Sequence, residues 1–202
     1  MRVRIAQEAA RLMSDHGIRD YYTAKQKAAA RLGATGTHNL PRNSEIETAR
    51  MEYQQLFHPH EQPLQLRQLR STALQAMQLL ALFEPRLVGP VLTGSADQYD
   101  AIILHLFTDT PEEVAFTLMQ QDIPFTSKEY HLHLGGEEKP FPGYCFVAGE
   151  TDINLVIFPA IAIRHAPSSP VDGRPMHRAA LHEVERLLES EGESAADTVA
   201  TS

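Results

Sequence analysis

The stretch from Leu64 to Asp109 constrains the fold more than any other part of the chain. Leu64, Leu66, Leu69, Leu74, Met77, Leu80 and Leu82 recur at helical spacing, and the pattern stops near Glu84-Pro85. The next residues, 86–92, read as a short strand that runs out at Gly94-Ser95. A second strand over 101–107 is almost wholly apolar, the pattern of a strand covered on both faces. A Gly-Ser pair at the end of a strand leaves backbone N–H groups and a small hydroxyl able to hold phosphate oxygens. The same pair is also ordinary turn chemistry.

Ahead of this stretch, residues 1–60 read as a small helical module. Ile5, Ala9, Leu12 and Met13 give a first helix stopped by Gly17. Asp20 is placed to cap a second helix that runs to about Leu32, and Asn43 or Ser44 starts a third that carries Ile46, Met51, Leu56 and Phe57. The loop between the second and third helices is long for a helix-turn-helix. The third helix is also acidic (Glu45, Glu47, Glu52) where it would face phosphates, so nucleic acid is not the expected partner. His58 to Pro63, with prolines bracketing polar residues, reads as a linker.

After the second strand, Pro111 opens a helix through Gln121, with Glu112 and Glu113 in its first turn. A short alternating strand (Tyr130, Leu132, Leu134 against His131, His133) is expected within 123–134, with further strands over 144–147 and 153–158 and a final helix over 178–189. The order from residue 64 onward is α-β-β-α-β-β-β-α, an α+β class with a mixed sheet flanked by helices. The expected organisation is therefore a helical module at 1–60, an α+β domain at 64–190 and a disordered polar tail at 191–202.

Charge divides along the same line. The chain carries −8 overall; residues 1–60 hold 9 Lys/Arg against 6 Asp/Glu, and the acidic excess lies in the remainder. The basic segment is a candidate surface for a protein partner, although scattered arginines also solvate helix faces. No run of about 18 apolar residues exists, so no membrane partner is expected. One cysteine, Cys145, excludes an internal disulfide, and the expected location is the cytoplasm.

The segments "RLVGPVLTGSA" and "DINLVIFP", with the apolar strand between them, resemble the minimal nucleotidyltransferase fold of the polymerase-beta superfamily. With the loop "SPVDGRPM" at 169–176, the whole chain resembles an uncharacterised bacterial family that joins an N-terminal helical segment to such a domain. The resemblance implies a nucleotide substrate and Mg²⁺ held by two carboxylates two residues apart on the second strand, with a third from a later strand. Asp100 falls where the first is implied, but Ile102 takes the paired position; Asp97 lies three residues earlier, and Asp152 stands in the third-carboxylate region. The implied catalytic residues are Asp100 and Asp152, and the implied metal ligands are Asp97, Asp100 and Asp152. Gly94 and Ser95 would contact phosphate.

Two further residues join the candidate ligand site. His105 is the one polar side chain deep in the second strand, a substrate contact or a hydrogen-bonded core histidine. Arg174 sits in a loop stiffened by Pro170 and Pro175, where a guanidinium suits an anion, or where the loop simply leads into the last helix. The histidine pairs His58/His60 and His131/His133 alternate along the chain, without the i, i+4 spacing of a helical zinc site. Three functional readings stand: a catalytically degenerate protein that binds a nucleotide or phosphorylated small molecule, an active Mg²⁺-dependent nucleotidyltransferase, and a non-enzymatic interaction module working through residues 1–60.

Overall fold

In the computed structural model the described residues are 1–200, with side chains as far as Glu191. The disordered tail expected beyond Glu191 lies outside the fully described residues. The fold class is α+β: the described residues form seven α-helices and one five-stranded mixed sheet. The chain divides into two compact units. The first comprises residues 1–65, 95–100 and 169–174, and the second comprises 66–94, 101–168 and 175–202.

The first unit is built on α1 (Arg2–His16), α2 (Tyr21–Arg31) and α3 (Asn43–Phe57). Gly17 adopts the left-handed conformation (φ 64°) that closes α1, and the Asp20 carboxylate accepts the Thr23 N–H at the start of α2. Alanine makes the core: Ala6, Ala9, Ala10, Ala24, Ala28, Ala29 and Ala49 pack around Ile5, Leu12, Met13 and Ile46. Small side chains let the helix backbones approach closely, so α1 contacts both α2 and α3.

The expected apolar stripe of α3 is corrected. Ile46 is buried, but Met51, Leu56 and Phe57 are exposed, and the inward face carries Ala49, Arg50 and Gln54 instead. Met51 is five residues from Ile46 and so lies about 140° around the helix from it. Positions 49, 50 and 54 share the Ile46 face at spacings of three, four and eight.

The second unit holds most of α4 (Glu61–Leu79), whose first turn belongs to the first unit. The strands are β1 (Arg86–Val88), β2 (Ile102–Phe107), β3 (Phe125–Leu134), β4 (Glu137–Ala148) and β5 (Thr151–Phe158), in the spatial order β1-β2-β5-β4-β3. The β2·β5 pair is parallel and the other three pairs are antiparallel. The central β2 is buried along nearly its whole length, and Phe107, Phe141, Val156 and Phe158 form an aromatic-rich layer on one side.

Two strand expectations change. The strand expected over 86–92 stops at Val88, because Gly89 (φ 76°) and Pro90 turn the chain into α5 (Pro90–Thr93), a single helical turn with proline at its first position. Gly94 (φ 96°) ends that turn, so the Gly-Ser pair follows a helix and not a strand. The strand expected at 144–147 is the twelve-residue β4, which contains Pro140 and Pro142. Both prolines pair with β3, opposite His131 and Glu129, in the part of β4 that β5 does not reach. A missing N–H costs nothing on an edge without a neighbour. The remaining helices are α6 (Pro111–Gln120) and α7 (Leu181–Ala200). Among the described residues no helix is long and apolar enough to cross a membrane.

Candidate functional site

The segment Ser95–Asp100 belongs to the first unit and is the part of the implied site that the structure assembles. It folds on itself first. The Asp100 N–H donates to the Asp97 carbonyl at 3.0 Å, the Asp97 N–H donates to Asp100 Oδ2 at 2.9 Å, and the Tyr99 N–H donates to Asp97 Oδ1 at 2.9 Å. The two carboxylates are thereby fixed side by side, 7% and 8% exposed.

Two guanidinium groups then take up the four carboxylate oxygens. Arg50 on α3 donates through Nη2 to Asp97 Oδ2 at 2.6 Å and to Asp100 Oδ2. Arg19, between α1 and α2, donates through Nη2 to Asp97 Oδ1 at 3.1 Å and through Nη1 to Asp100 Oδ1. Arg50 is 1% exposed. Burial opposes its charge, but Asp100 and Asp97 more than offset this and hold its pKa above the ordinary arginine value. Two negative and two positive charges in contact make a neutral cluster, which meets the requirement that buried charges be paired.

The rest of the segment is also engaged. The Ser95 hydroxyl donates to Glu47, which also accepts from the Tyr21 hydroxyl at 2.7 Å. Burial and the Glu47 charge raise the Tyr21 pKa, so its phenol stays protonated. Gln54 Nε2 donates to the Ser95 carbonyl at 2.9 Å, and Gln62 Nε2 to the Ala96 carbonyl at 3.0 Å. Ser95 is fully buried, so its hydroxyl is not presented to a phosphate group.

Ser95, Asp97, Asp100 and Arg174 belong to the first unit, while Gly94, His105 and Asp152 belong to the second. Asp152 is exposed on β5 opposite Val147. Arg174 is exposed in a turn held by the Ser169 N–H to the Arg174 carbonyl (2.7 Å) and by the Arg174 N–H to Asp172 Oδ1 (3.1 Å). His105 is 1% exposed and accepts from Arg178 Nε, as a core histidine does. Among the described residues, no three His, Cys, Asp or Glu side chains converge to hold a metal ion. Of the three implied metal ligands, Asp97 and Asp100 are thus already engaged by arginine.

Sequence reasoning missed Arg19, Glu47 and Arg50. A signal existed for two contributors on α3: Arg50 and Gln54 follow Ile46 at i+4 and i+8, so both project polar groups from an apolar face. Comparison with family models, with curated proteins and with solved structures gives no match to the chain.

Proposed function

We propose that this chain is a non-catalytic binding protein. In this reading the Ser95–Asp100 segment, part of a stretch that resembles nucleotidyltransferases, serves as a structural clasp within the helical unit. The observation that carries the reading is the pairing of both Asp97 and Asp100 with Arg50 and Arg19. A metal ion would have to displace two guanidinium groups, one of them buried, and leave them without counter-charges. That exchange is unfavourable by several kcal/mol.

The test is calorimetric titration of the purified protein with each Mg-NTP, repeated in EDTA. The expected result is no metal-dependent heat for any nucleotide. Metal-dependent binding that disappears in Asp100→Asn would overturn the reading in favour of an active transferase site. A second reading, binding of a phosphorylated small molecule, draws on Arg174, whose guanidinium is exposed on a turn already ordered by its own hydrogen bonds. It expects metal-independent binding that is weakened by Arg174→Ala.

A further inference from the structure

The second unit carries an open groove of about 680 Å³ that neither the sheet nor its connections fill. Its floor is aromatic: Phe83 and Phe107 are 5% and 6% exposed. Its walls are Leu82, 89% exposed, and Phe116 of α6, 61% exposed. Single exposed apolar residues need no explanation, but here two large ones flank a shared aromatic floor. Met119, one turn further along α6, is 60% exposed as well and extends the apolar strip.

The rim has one sign of charge. Glu112 and Glu113 line the groove from the first turn of α6, both are exposed, and no lysine or arginine lines it. Neither glutamate makes an ion pair among the described residues, and the chain has no Lys or Arg between Arg86 and Lys128. Their place at a helix N-terminus accounts for acidic residues there. It does not account for carboxylates set one helical turn before an exposed phenylalanine on a groove wall. That combination selects an occupant with a bulky apolar side chain and a cation about one turn away.

We propose that this groove docks an amphipathic helical segment of another protein. A large apolar residue of the segment would seat between Leu82 and Phe116 over Phe107, with its Lys or Arg side chains against Glu112 and Glu113. The inference rests on the reading of the chain as a binding protein and names the chemistry of its partner. A polypeptide fits better than a small molecule. Ligand pockets enclose most of a small ligand's surface, whereas walls as exposed as Leu82 and Phe116 leave such a ligand open to water. A helix laid across the groove covers both walls at once, the helix-in-groove mode of peptide recognition.

The probe is a fluorescein-labelled Leu/Lys amphipathic peptide of about 18 residues, long enough to form helix. Its counterpart has every lysine replaced by glutamate. Fluorescence anisotropy with the full chain should show binding of the Leu/Lys peptide, weakened by added salt, and none of the Leu/Glu peptide. Phe116→Ser keeps the charge of the protein and replaces an exposed side chain, so the fold survives; it should weaken binding at least ~10-fold, equivalent to about 1.4 kcal/mol. Glu112→Gln with Glu113→Gln should do the same. The pair Glu129→Gln and Glu137→Gln, with the same change of net charge on exposed positions outside the groove, should have little effect.

Absence of binding, equal binding of both peptides, or binding unchanged by Phe116→Ser would each overturn the proposal. If that occurs while Mg-NTP titrations stay silent, the groove assignment alone is lost and the non-catalytic reading stands. Metal-dependent nucleotide binding overturns that reading whatever the peptide does.

Discussion

Arg178 donates its Nε–H to Nδ1 of His105 at 3.0 Å, which leaves the imidazole neutral with its proton on Nε2. The guanidinium lies over the rings of Phe158 and Phe107, 4.7 and 4.9 Å from their centroids, and its Nη1 donates to the Ala162 carbonyl at 2.9 Å. The cation is thus held by ring faces and carbonyl groups. His105, read from the sequence as either a substrate contact or a hydrogen-bonded core histidine, anchors this arginine between the sheet and the Ala160–Arg164 turn.

Burial first, and then the Arg178 charge, push the His105 pKa from its usual 6.5 down to about 3. Between those values the unfolded chain binds a proton that the folded chain refuses, so stability rises with pH across this window. His105 therefore contributes nothing to the pH dependence above about pH 6.5. Below that, it costs up to about 1.4 kcal/mol per pH unit until the folded-state value is reached. Urea midpoints at pH 7.5 and pH 5 should show this loss. In His105→Asn, whose Oδ1 still accepts from Arg178, the dependence should be visibly flatter. Equal slopes in the two proteins would assign the pH dependence to another group.

Arg50 poses the complementary question of a charge that is buried because it is paired. Arg50→Met leaves Asp97 and Asp100 with only the more exposed Arg19, and it should destabilise the protein by about 3 kcal/mol in urea unfolding. Adding Asp97→Asn and Asp100→Asn should recover most of that loss, since the uncompensated charges go with it. If Arg50→Met alone were neutral, the cluster would not be a structural clasp, and its carboxylates would again be candidates for a ligand.

Arg70 makes a second buried anchor, in the second unit. It is 6% exposed, donates through Nε and Nη2 to the carbonyls of Val91 and Leu92 at 2.9 Å each, and pairs with Glu191. These carbonyls end the single turn of α5, where no further helical turn is available to satisfy them. Arg70→Met should cost about 2–3 kcal/mol, because two carbonyl groups and a partly buried carboxylate lose a charged donor. Glu191→Gln, which leaves both carbonyl bonds in place, should cost distinctly less in the same thermal or urea assay.

The longer helices and the α+β class were legible because they follow from local pattern: Gly17 as a stop, Asp20 as a cap, Pro111 as an opening residue, and an apolar run at 101–107. What was not legible depends on contacts distant in sequence. Asp97 and Asp100 read as metal ligands until Arg19 and Arg50, 78 and 47 residues from Asp97, are brought against them. Pro90 hid the helical turn that follows β1, because a strand pattern continued through it. Pro140 and Pro142 hid half of β4, because the sequence does not say which strand edge has no neighbour.

Gly143 shows the same limit at a single residue. It lies in β4 opposite both Lys128 and Val156, and a Cβ there would meet the Leu155 carbonyl oxygen at 2.0 Å and Tyr130 Cε2 at 2.6 Å. Such contacts are far inside van der Waals distance. The ring can move, but the carbonyl belongs to a central strand and cannot move without parting β4 from β5. Gly143→Ala should therefore destabilise the sheet by about 3 kcal/mol or more, or prevent soluble folding. Gly149→Ala, at a turn with φ 65° and nothing within 4 Å of the added atom, should cost only the backbone strain of about 1–2 kcal/mol. Combining Gly143→Ala with Tyr130→Leu separates the two obstacles. If the Leu155 carbonyl is the barrier, the second substitution restores nothing; a double variant as stable as Tyr130→Leu alone would place the whole clash on the ring.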